Sequence, residues 1–216
     1  MQLTGLLRKS AAELVGTYIF VLFGPGSVVA FIAAFNQTLN PSTLFYLAIT
    51  FGLGISIGIM AVANISGGHV NPAVTISLFI AGRFPGKNVL PYIIAQLIGA
   101  VLASATVSVL FGYNVANSVQ FGATIPGVRG PWVAFFGEFV MTFFFLWTIM
   151  GVTSRTNNTA VIAIVIGIYV SIMIFMLGTV SGGSINPARS FGPAVLSGFL
   201  MSTSLLMRLR RHQPEK

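Results

Sequence analysis

Apolar residues along this chain form five long stretches separated by short polar connections. The stretches lie at about 11–34, 43–63, 88–111, 132–152 and 160–180. Each is close to the ~20 residues that an α-helix needs to cross ~30 Å of hydrocarbon. The pattern therefore predicts an all-α membrane protein with five full spans.

Two shorter stretches, at about 71–81 and 187–197, begin at Asn-Pro and are too short to cross a bilayer. Non-helical backbone is tolerated at membrane depth where it is buried in protein or lines a water-filled cavity. Asparagine suits the N-cap of a helix, and proline suits its first position. We therefore expect two re-entrant half-helices that border an aqueous path.

The two halves of the chain repeat one another. The segment at 12–17, Ala-Glu-Leu-Val-Gly-Thr, recurs at 137–142 as Gly-Glu-Phe-Val-Met-Thr, and the segment at 66–73, Ser-Gly-Gly-His-Val-Asn-Pro-Ala, recurs at 181–188 as Ser-Gly-Gly-Ser-Ile-Asn-Pro-Ala. An odd number of spans precedes the second copy, so the copies are inverted in the membrane and their Asn-Pro-Ala turns should meet near its centre. We expect one transmembrane domain over 1–216, with repeat one at about 10–111 and repeat two at about 132–207.

The second repeat is shorter than the first. The counterpart of the third span would lie near 203–226, whereas the ten residues 198–207 are followed by Arg208. A ten-residue helix rises only ~15 Å, about half the hydrocarbon thickness. We therefore expect the sixth span to be missing or atypical and the second repeat to be incomplete.

Composition supports a lipid environment and excludes several functions. Hydrophobic residues make up 55% of the chain and charged residues 6%, whereas soluble domains carry about a quarter charged residues. The net charge of +8 comes from residues scattered in short connections, so we expect no nucleic-acid partner. The absence of cysteine excludes disulfides, a thiolate nucleophile and a cysteine metal site.

Basic residues mark one set of helix ends. Cytoplasmic connections of membrane proteins carry an excess of lysine and arginine. We therefore expect a multi-pass protein of the plasma membrane with a cytoplasmic N-terminus. The basic residues on that side are Arg8, Lys9, Arg83, Lys87 and Arg155, and the opposite connections hold Arg129.

The paired motifs Ser-Gly-Gly-His-Val-Asn-Pro-Ala-Val-Thr and Ser-Gly-Gly-Ser-Ile-Asn-Pro-Ala-Arg-Ser-Phe-Gly-Pro resemble those of aquaporins and glycerol facilitators, the major intrinsic proteins. The resemblance covers about 10–197. It implies the inverted-repeat aquaporin fold and a passive, single-file water channel of archaeal or bacterial type. It also implies a homotetramer in the lipid bilayer, with a pore in each subunit, no cofactor and no enzymatic activity.

The two motifs supply the chemistry of the expected pore. Asn71 and Asn186 each begin a half-helix, where free N–H groups, the positive end of the helix dipole and the side-chain amide can face a water oxygen. Pro72 and Pro187 fit the first helical position and fix the turn. The motifs are completed by Ala73 and Ala188.

Arg189 is the most informative charge, because an arginine within the membrane is costly and by default functional. An arginine that snorkels to the interface is the alternative. The resemblance places Arg189 at a selectivity filter together with Phe51, Ile174 and Gly183. Ile174 departs from the histidine of many strict water channels, which leaves passage of small neutral solutes open.

Two further positions separate the branches of the family by resemblance. Glycerol facilitators usually carry aspartate and lysine where this chain has Ser190 and Ala194. Both residues favour the water-channel branch. A glycerol-like solute channel and a truncated, non-conducting membrane protein remain as alternatives.

Glu13 and Glu138 are the carboxylates of the spans, at equivalent repeat positions. An unpaired charge at membrane depth is expensive, so both need partners. The resemblance implies that they are acceptors that hold the N–H groups of the re-entrant loops, with a proton relay as the alternative. His69 has no second metal ligand nearby in sequence and is interpreted as lining the cytoplasmic side of the pore.

Overall fold

The computed structural model describes residues 2–35 and 41–198. Eight α-helices form in these residues, joined by turns and short loops. Two 3₁₀ turns, at Gly86–Asn88 and Gln120–Gly122, lie in the connections. The α-helices are α1 Gln2–Phe35, α2 Pro41–Ser66, α3 Pro72–Ile80, α4 Val89–Phe111, α5 Tyr113–Ser118, α6 Pro131–Thr153, α7 Thr159–Leu177 and α8 Pro187–Leu196.

Five of these helices, α1, α2, α4, α6 and α7, are long and apolar enough to cross a membrane. The five predicted spans are thus confirmed as helices. The predicted end of the last span, at residue 180, was wrong because α7 stops at Leu177. The Leu177 carbonyl accepts bonds from the N–H groups of Val180, Ser181 and Gly182, which folds the chain into a turn.

The half-helices α3 and α8 begin at the two Asn-Pro-Ala motifs. Asn71 caps α3 by accepting a bond from the Ala73 N–H at 2.8 Å. Asn186 caps α8 by accepting from the Ala188 N–H at 3.0 Å. Both helices have proline at the first turn, where the missing N–H costs no hydrogen bond.

Small residues bring the spanning helices together. A Cβ atom at Gly58 would lie 2.7 Å from the Gly16 carbonyl oxygen, and one at Gly99 would overlap the Leu14 carbonyl oxygen. Membrane helices approach closely at such positions because van der Waals contact, rather than hydrophobic burial, drives their association. Helix α1 is therefore packed between α2 and α4.

The two repeats interlock through the half-helices. Helix α4 of the first repeat packs on α8 of the second, where a Cβ atom at Gly192 would lie 2.5 Å from the Ala100 carbonyl oxygen. Helix α2 packs against α7 in the same way, with a Cβ atom at Gly52 only 2.5 Å from the Gly167 carbonyl oxygen. Each half thus completes the packing of the other.

Among the described residues the second repeat is less covered than the first. Pro72 is buried, whereas its counterpart Pro187 is exposed. Of the five long helices, α6 has the smallest buried share. The residues that would have to supply a sixth span fall within 199–216, outside the described residues, so the expectation that this span is missing or atypical stays a prediction.

Candidate functional site

The structure brings the two Asn-Pro-Ala turns into direct contact. The Asn71 side-chain amide donates to the Ile185 carbonyl at 2.8 Å, and the Asn186 amide donates to the Val70 carbonyl at 2.9 Å. Both asparagines are buried. Each repeat therefore holds the loop of the other through one hydrogen of a side-chain amide.

The carbonyls of Val70 and Ile185 point toward the opposite re-entrant loop because both residues adopt a left-handed backbone conformation. Their φ angles are 53° and 47°, values that are unfavourable for β-branched residues. Such strain costs about 1–3 kcal/mol and persists only where surrounding contacts fix it. Here the fixing contacts come from the carboxylates of Glu13 and Glu138.

Glu13 is fully buried and holds the first re-entrant loop. Its two oxygens accept bonds from the His69 N–H at 2.9 Å and the Val70 N–H at 2.7 Å. The Gln96 amide of α4 donates to it at 2.7 Å. These charge-assisted bonds stabilise the loop on which Asn71 lies.

Glu138 holds the second loop in the equivalent way. Its oxygens accept from the N–H groups of Ser184 and Ile185, each at 2.8 Å, and from the Ser181 hydroxyl. Unlike Glu13, it is only partly buried. In both repeats the donors include two backbone N–H groups, which is the contact pattern of a structural acceptor rather than of a proton relay.

Arg189 is buried and bound by neutral groups. Its guanidinium donates to the Gly122 carbonyl at 2.8 Å and more weakly to the Gly182 carbonyl at 3.4 Å. Its central carbon lies 4.9 Å from the centre of the Phe51 ring, within the range of a cation–π interaction. Among the described residues no carboxylate lies within ion-pair distance of this charge, and its direct partners are neutral.

Arg189 lines a cavity of about 440 Å³ together with Phe51 and Ile174. Gly183 lies directly behind Ile174, since a Cβ atom there would approach the Ile174 Cδ1 atom to 2.8 Å. The four residues predicted for the filter are therefore brought together. The φ of Gly183 is 63°, which also disfavours a side chain at this position.

A second cavity, of about 470 Å³, adjoins the two asparagines and His69. It follows the first cavity along α2 and α7, because its lining residues Ile55 and Val170 lie one turn from Phe51 and Ile174. The walls are otherwise largely aliphatic and aromatic. They include Phe20, Ile59, Phe145, Ile149, Ile162 and Ile166.

His69 lies at the wall of the second cavity with its ring fixed by neighbours. Its Nδ1 atom is 3.1 Å from the Thr75 hydroxyl. The ring centre lies 4.6 Å from that of Phe84 and 5.2 Å from that of Tyr92. The histidine is therefore both a lining residue and part of the support of the first loop.

Several residues of the site were not predicted. Gln96 and Tyr92 support the first loop, the latter by donating to the Ser66 carbonyl at 2.8 Å. A polar glutamine within an apolar span was a usable signal for Gln96. Gly122 and the strained Val70 and Ile185 act through backbone atoms, so side-chain identity gave no signal for them.

Comparison with known proteins agrees with this architecture. Residues 1–204 match the family described as Major intrinsic protein. Aquaporin AqpM of Methanothermobacter marburgensis is 38% identical, over 94% of this chain and 89% of that protein. Glycerol uptake facilitator protein-like 6 of Lactiplantibacillus plantarum is 37% identical, over 89% of this chain and 85% of that protein.

A solved structure shares the same fold. The aquaglyceroporin of Plasmodium falciparum superimposes with a TM-score of 0.81 and 28% identity, covering 90% of this chain and 82% of that chain. The predicted aquaporin-type helical fold is thereby confirmed. These relatives are channels rather than enzymes, and the chain belongs to the major intrinsic protein family of membrane channels.

Proposed function

We propose that this chain is a passive water channel whose single-file path passes Arg189 and Phe51 and then the paired Asn71 and Asn186. The observation that carries the proposal is the position of the two asparagine amides beside the second cavity, one helical turn beyond the cavity at Arg189. Water would move down its osmotic gradient without a cofactor or an energy source.

Each asparagine combines a structural bond with a free donor. A side-chain amide has two hydrogens, and one of them is used in the bond to the opposite loop. The second can donate to the oxygen of a passing water. A water held through its oxygen directs both hydrogens away from the centre, so it does not accept a proton from its neighbour, and the positive ends of two half-helices reinforce this barrier.

Arg189 supplies the second barrier. Its charge is held by neutral carbonyls and an aromatic ring, which fix its position without cancelling its field. The guanidinium repels protons and cations through its permanent positive charge. Its N–H groups can donate hydrogen bonds to neutral water. The aliphatic Ile174 on the same cavity adds an apolar wall without a titratable group.

A channel for small neutral solutes is the second candidate. The observation that favours it is Ile174, which gives the cavity at Arg189 an apolar side. The similarity to a protein named as a glycerol uptake facilitator also supports it. Ser190 and Ala194 support the water branch, because glycerol facilitators usually carry aspartate and lysine there.

Purified protein in vesicles distinguishes these functions. Stopped-flow light scattering would measure osmotic shrinkage with an impermeant solute and swelling with glycerol. The proposal predicts water permeability well above that of protein-free vesicles and little acceleration of glycerol entry. Dominant glycerol entry would favour the second candidate, and no increase for either solute would favour a non-conducting protein.

The same proposal includes the setting of the channel. We expect a homotetramer in the plasma membrane, in which each subunit has its own pore and the N-terminus is cytoplasmic. Basic residues at one set of helix ends support this orientation. Protease accessibility of an N-terminal tag in right-side-out vesicles would test it.

Mercurial reagents are expected to leave water permeability unchanged. These reagents act on thiolates, and the chain contains no cysteine. The measurement is osmotic shrinkage before and after treatment, with a variant carrying Ile174→Cys as the positive control. Inhibition of the unmodified protein would contradict the expectation.

A further inference from the structure

Three hydroxyl groups join the second re-entrant loop to a separate surface loop, residues 119–127. The Thr124 hydroxyl donates to the Ser190 Oγ atom at 2.8 Å. The Ser190 Oγ atom is 2.5 Å from that of Ser184. The Ser184 hydroxyl in turn donates to the Asn186 carbonyl at 2.9 Å. Thr124 is therefore connected, through two serines, to the turn that holds Asn186.

The same surface loop provides the main acceptor for Arg189. The Gly122 carbonyl that binds the guanidinium follows Gln120 and Phe121, and all three residues have positive φ, at 70°, 49° and 56°. Such a conformation is unfavourable for the two residues that are not glycine, so it must be fixed by contacts outside the turn. The position of the carbonyl depends on those contacts.

Contacts hold the loop on both sides of this carbonyl. Phe121 is buried, with its ring centre 5.7 Å from that of Tyr113. Further along, the Gly127 N–H donates to the Val180 carbonyl at 2.8 Å. Thr124 lies between these anchors, and its hydroxyl adds a side-chain bond from the middle of the loop to Ser190 of the second repeat.

The first repeat contains an equivalent network of three side chains. His69 and Thr75, the counterparts of Ser184 and Ser190, are joined at 3.1 Å, and Thr75 accepts a bond from Gln96 of α4 at 3.1 Å. The third member of that network is therefore on a spanning helix. In the second repeat the equivalent bond comes from Thr124 on a loop, which also carries the acceptor for Arg189.

We propose that Thr124 is a positioning residue for selectivity. Through Ser190 and Ser184 it fixes the position of the 119–127 loop relative to the second re-entrant loop. The Gly122 carbonyl of the 119–127 loop then keeps the Arg189 guanidinium against the Phe51 ring. This inference rests on the proposed channel function and adds a residue that does not itself line the cavity around Arg189. Loss of the hydroxyl frees the guanidinium to move and widens the path.

The test compares Thr124→Val with Thr124→Ser in reconstituted vesicles. Valine keeps the size of the side chain and removes its hydroxyl, whereas serine keeps the hydroxyl. We expect Thr124→Val to raise the ratio of glycerol to water permeability by about fivefold, the change expected for loss of one net hydrogen bond between neutral groups. Water permeability itself should stay close to that of the wild type, and Thr124→Ser should restore the wild-type ratio.

Thr148→Val is the matched control. The Thr148 hydroxyl bonds within its own helix, to the Phe144 carbonyl at 2.8 Å, and this residue borders neither of the two cavities. The permeability ratio of this variant should equal that of the wild type. Wild-type-like elution in detergent and retained water permeability show that each variant has folded.

The outcomes separate this inference from the proposed function. A wild-type channel that conducts water, together with an unchanged ratio in Thr124→Val, overturns the role of Thr124 alone. The role is also overturned if Thr124→Ser does not restore the ratio, since side-chain shape and not the hydroxyl would then be the cause. A wild-type protein that conducts no water overturns the proposed function, and this inference with it.

Discussion

Replacing Arg189 with valine is expected to raise proton and cation leakage at least about tenfold while water still passes. A unit charge acts on a cation ~10 Å away with about 1.7 kcal/mol at an effective dielectric constant of ~20, and ~1.4 kcal/mol corresponds to a tenfold change in rate. The charge is buried and is held by two neutral carbonyls and the Phe51 ring, so its removal leaves behind no ion-paired carboxylate among the described residues. A pH-sensitive dye inside vesicles, with potassium and valinomycin to set the potential, measures the leak.

The smaller side chain also enlarges the cavity that Arg189 shares with Phe51 and Ile174. Glycerol entry should therefore increase together with the leak. Arg83→Val is the matched control, because Arg83 lines the second cavity but is exposed, and solvent screens such a charge. Unchanged leak and unchanged glycerol entry in Arg189→Val would show that this arginine is not the selective barrier.

Replacing Glu13 with alanine is expected to remove most of the folded protein. The substitution leaves the N–H groups of His69 and Val70 and the Gln96 amide without their carboxylate acceptor. A buried donor left unsatisfied costs about 1–3 kcal/mol, and three of them approach the ~5–15 kcal/mol of net stability typical of a domain. The strained φ of Val70 would also lose its main constraint.

Yield and thermal unfolding in detergent measure this loss. Glu13→Gln keeps one acceptor oxygen and should be intermediate. Glu138→Ala removes the same number of accepted bonds, but Glu138 is only partly buried, so its loss should be smaller than that of Glu13→Ala. A Glu13→Ala protein as stable as the wild type would mean that the carboxylate does not support the loop.

The helices were predictable because each signal was local. Apolar runs of spanning length gave the five long helices, and Asn-Pro gave the starts of α3 and α8, since an N-cap and a first-turn proline act within one turn. The end of α7 at Leu177 was not predictable in this way. It depends on where the Leu177 carbonyl finds N–H partners in the following turn, which the apolar run alone does not specify.

Some residues of the site were predictable from a local signal, and others were not. Side chains with unusual chemistry for a membrane, such as Arg189 and Glu13, were identifiable because their burial is expensive unless they are functional or paired. The Gly122 carbonyl and the left-handed Val70 and Ile185 contribute backbone atoms, whose direction is set by contacts more than a hundred residues apart in the case of the two re-entrant turns. Residue type does not encode such directions.

The reciprocal asparagine bonds also constrain the biogenesis of the protein. The partner of the Asn71 amide is the Ile185 carbonyl, 114 positions further along the chain, so the first repeat leaves the ribosome with this donor unsatisfied. The Val70 carbonyl likewise lacks its donor until Asn186 is present, and α4 lacks its packing partner until α8 is present. The bonds that join the two re-entrant turns and the packing of α4 on α8 can therefore form only once both halves are in the membrane.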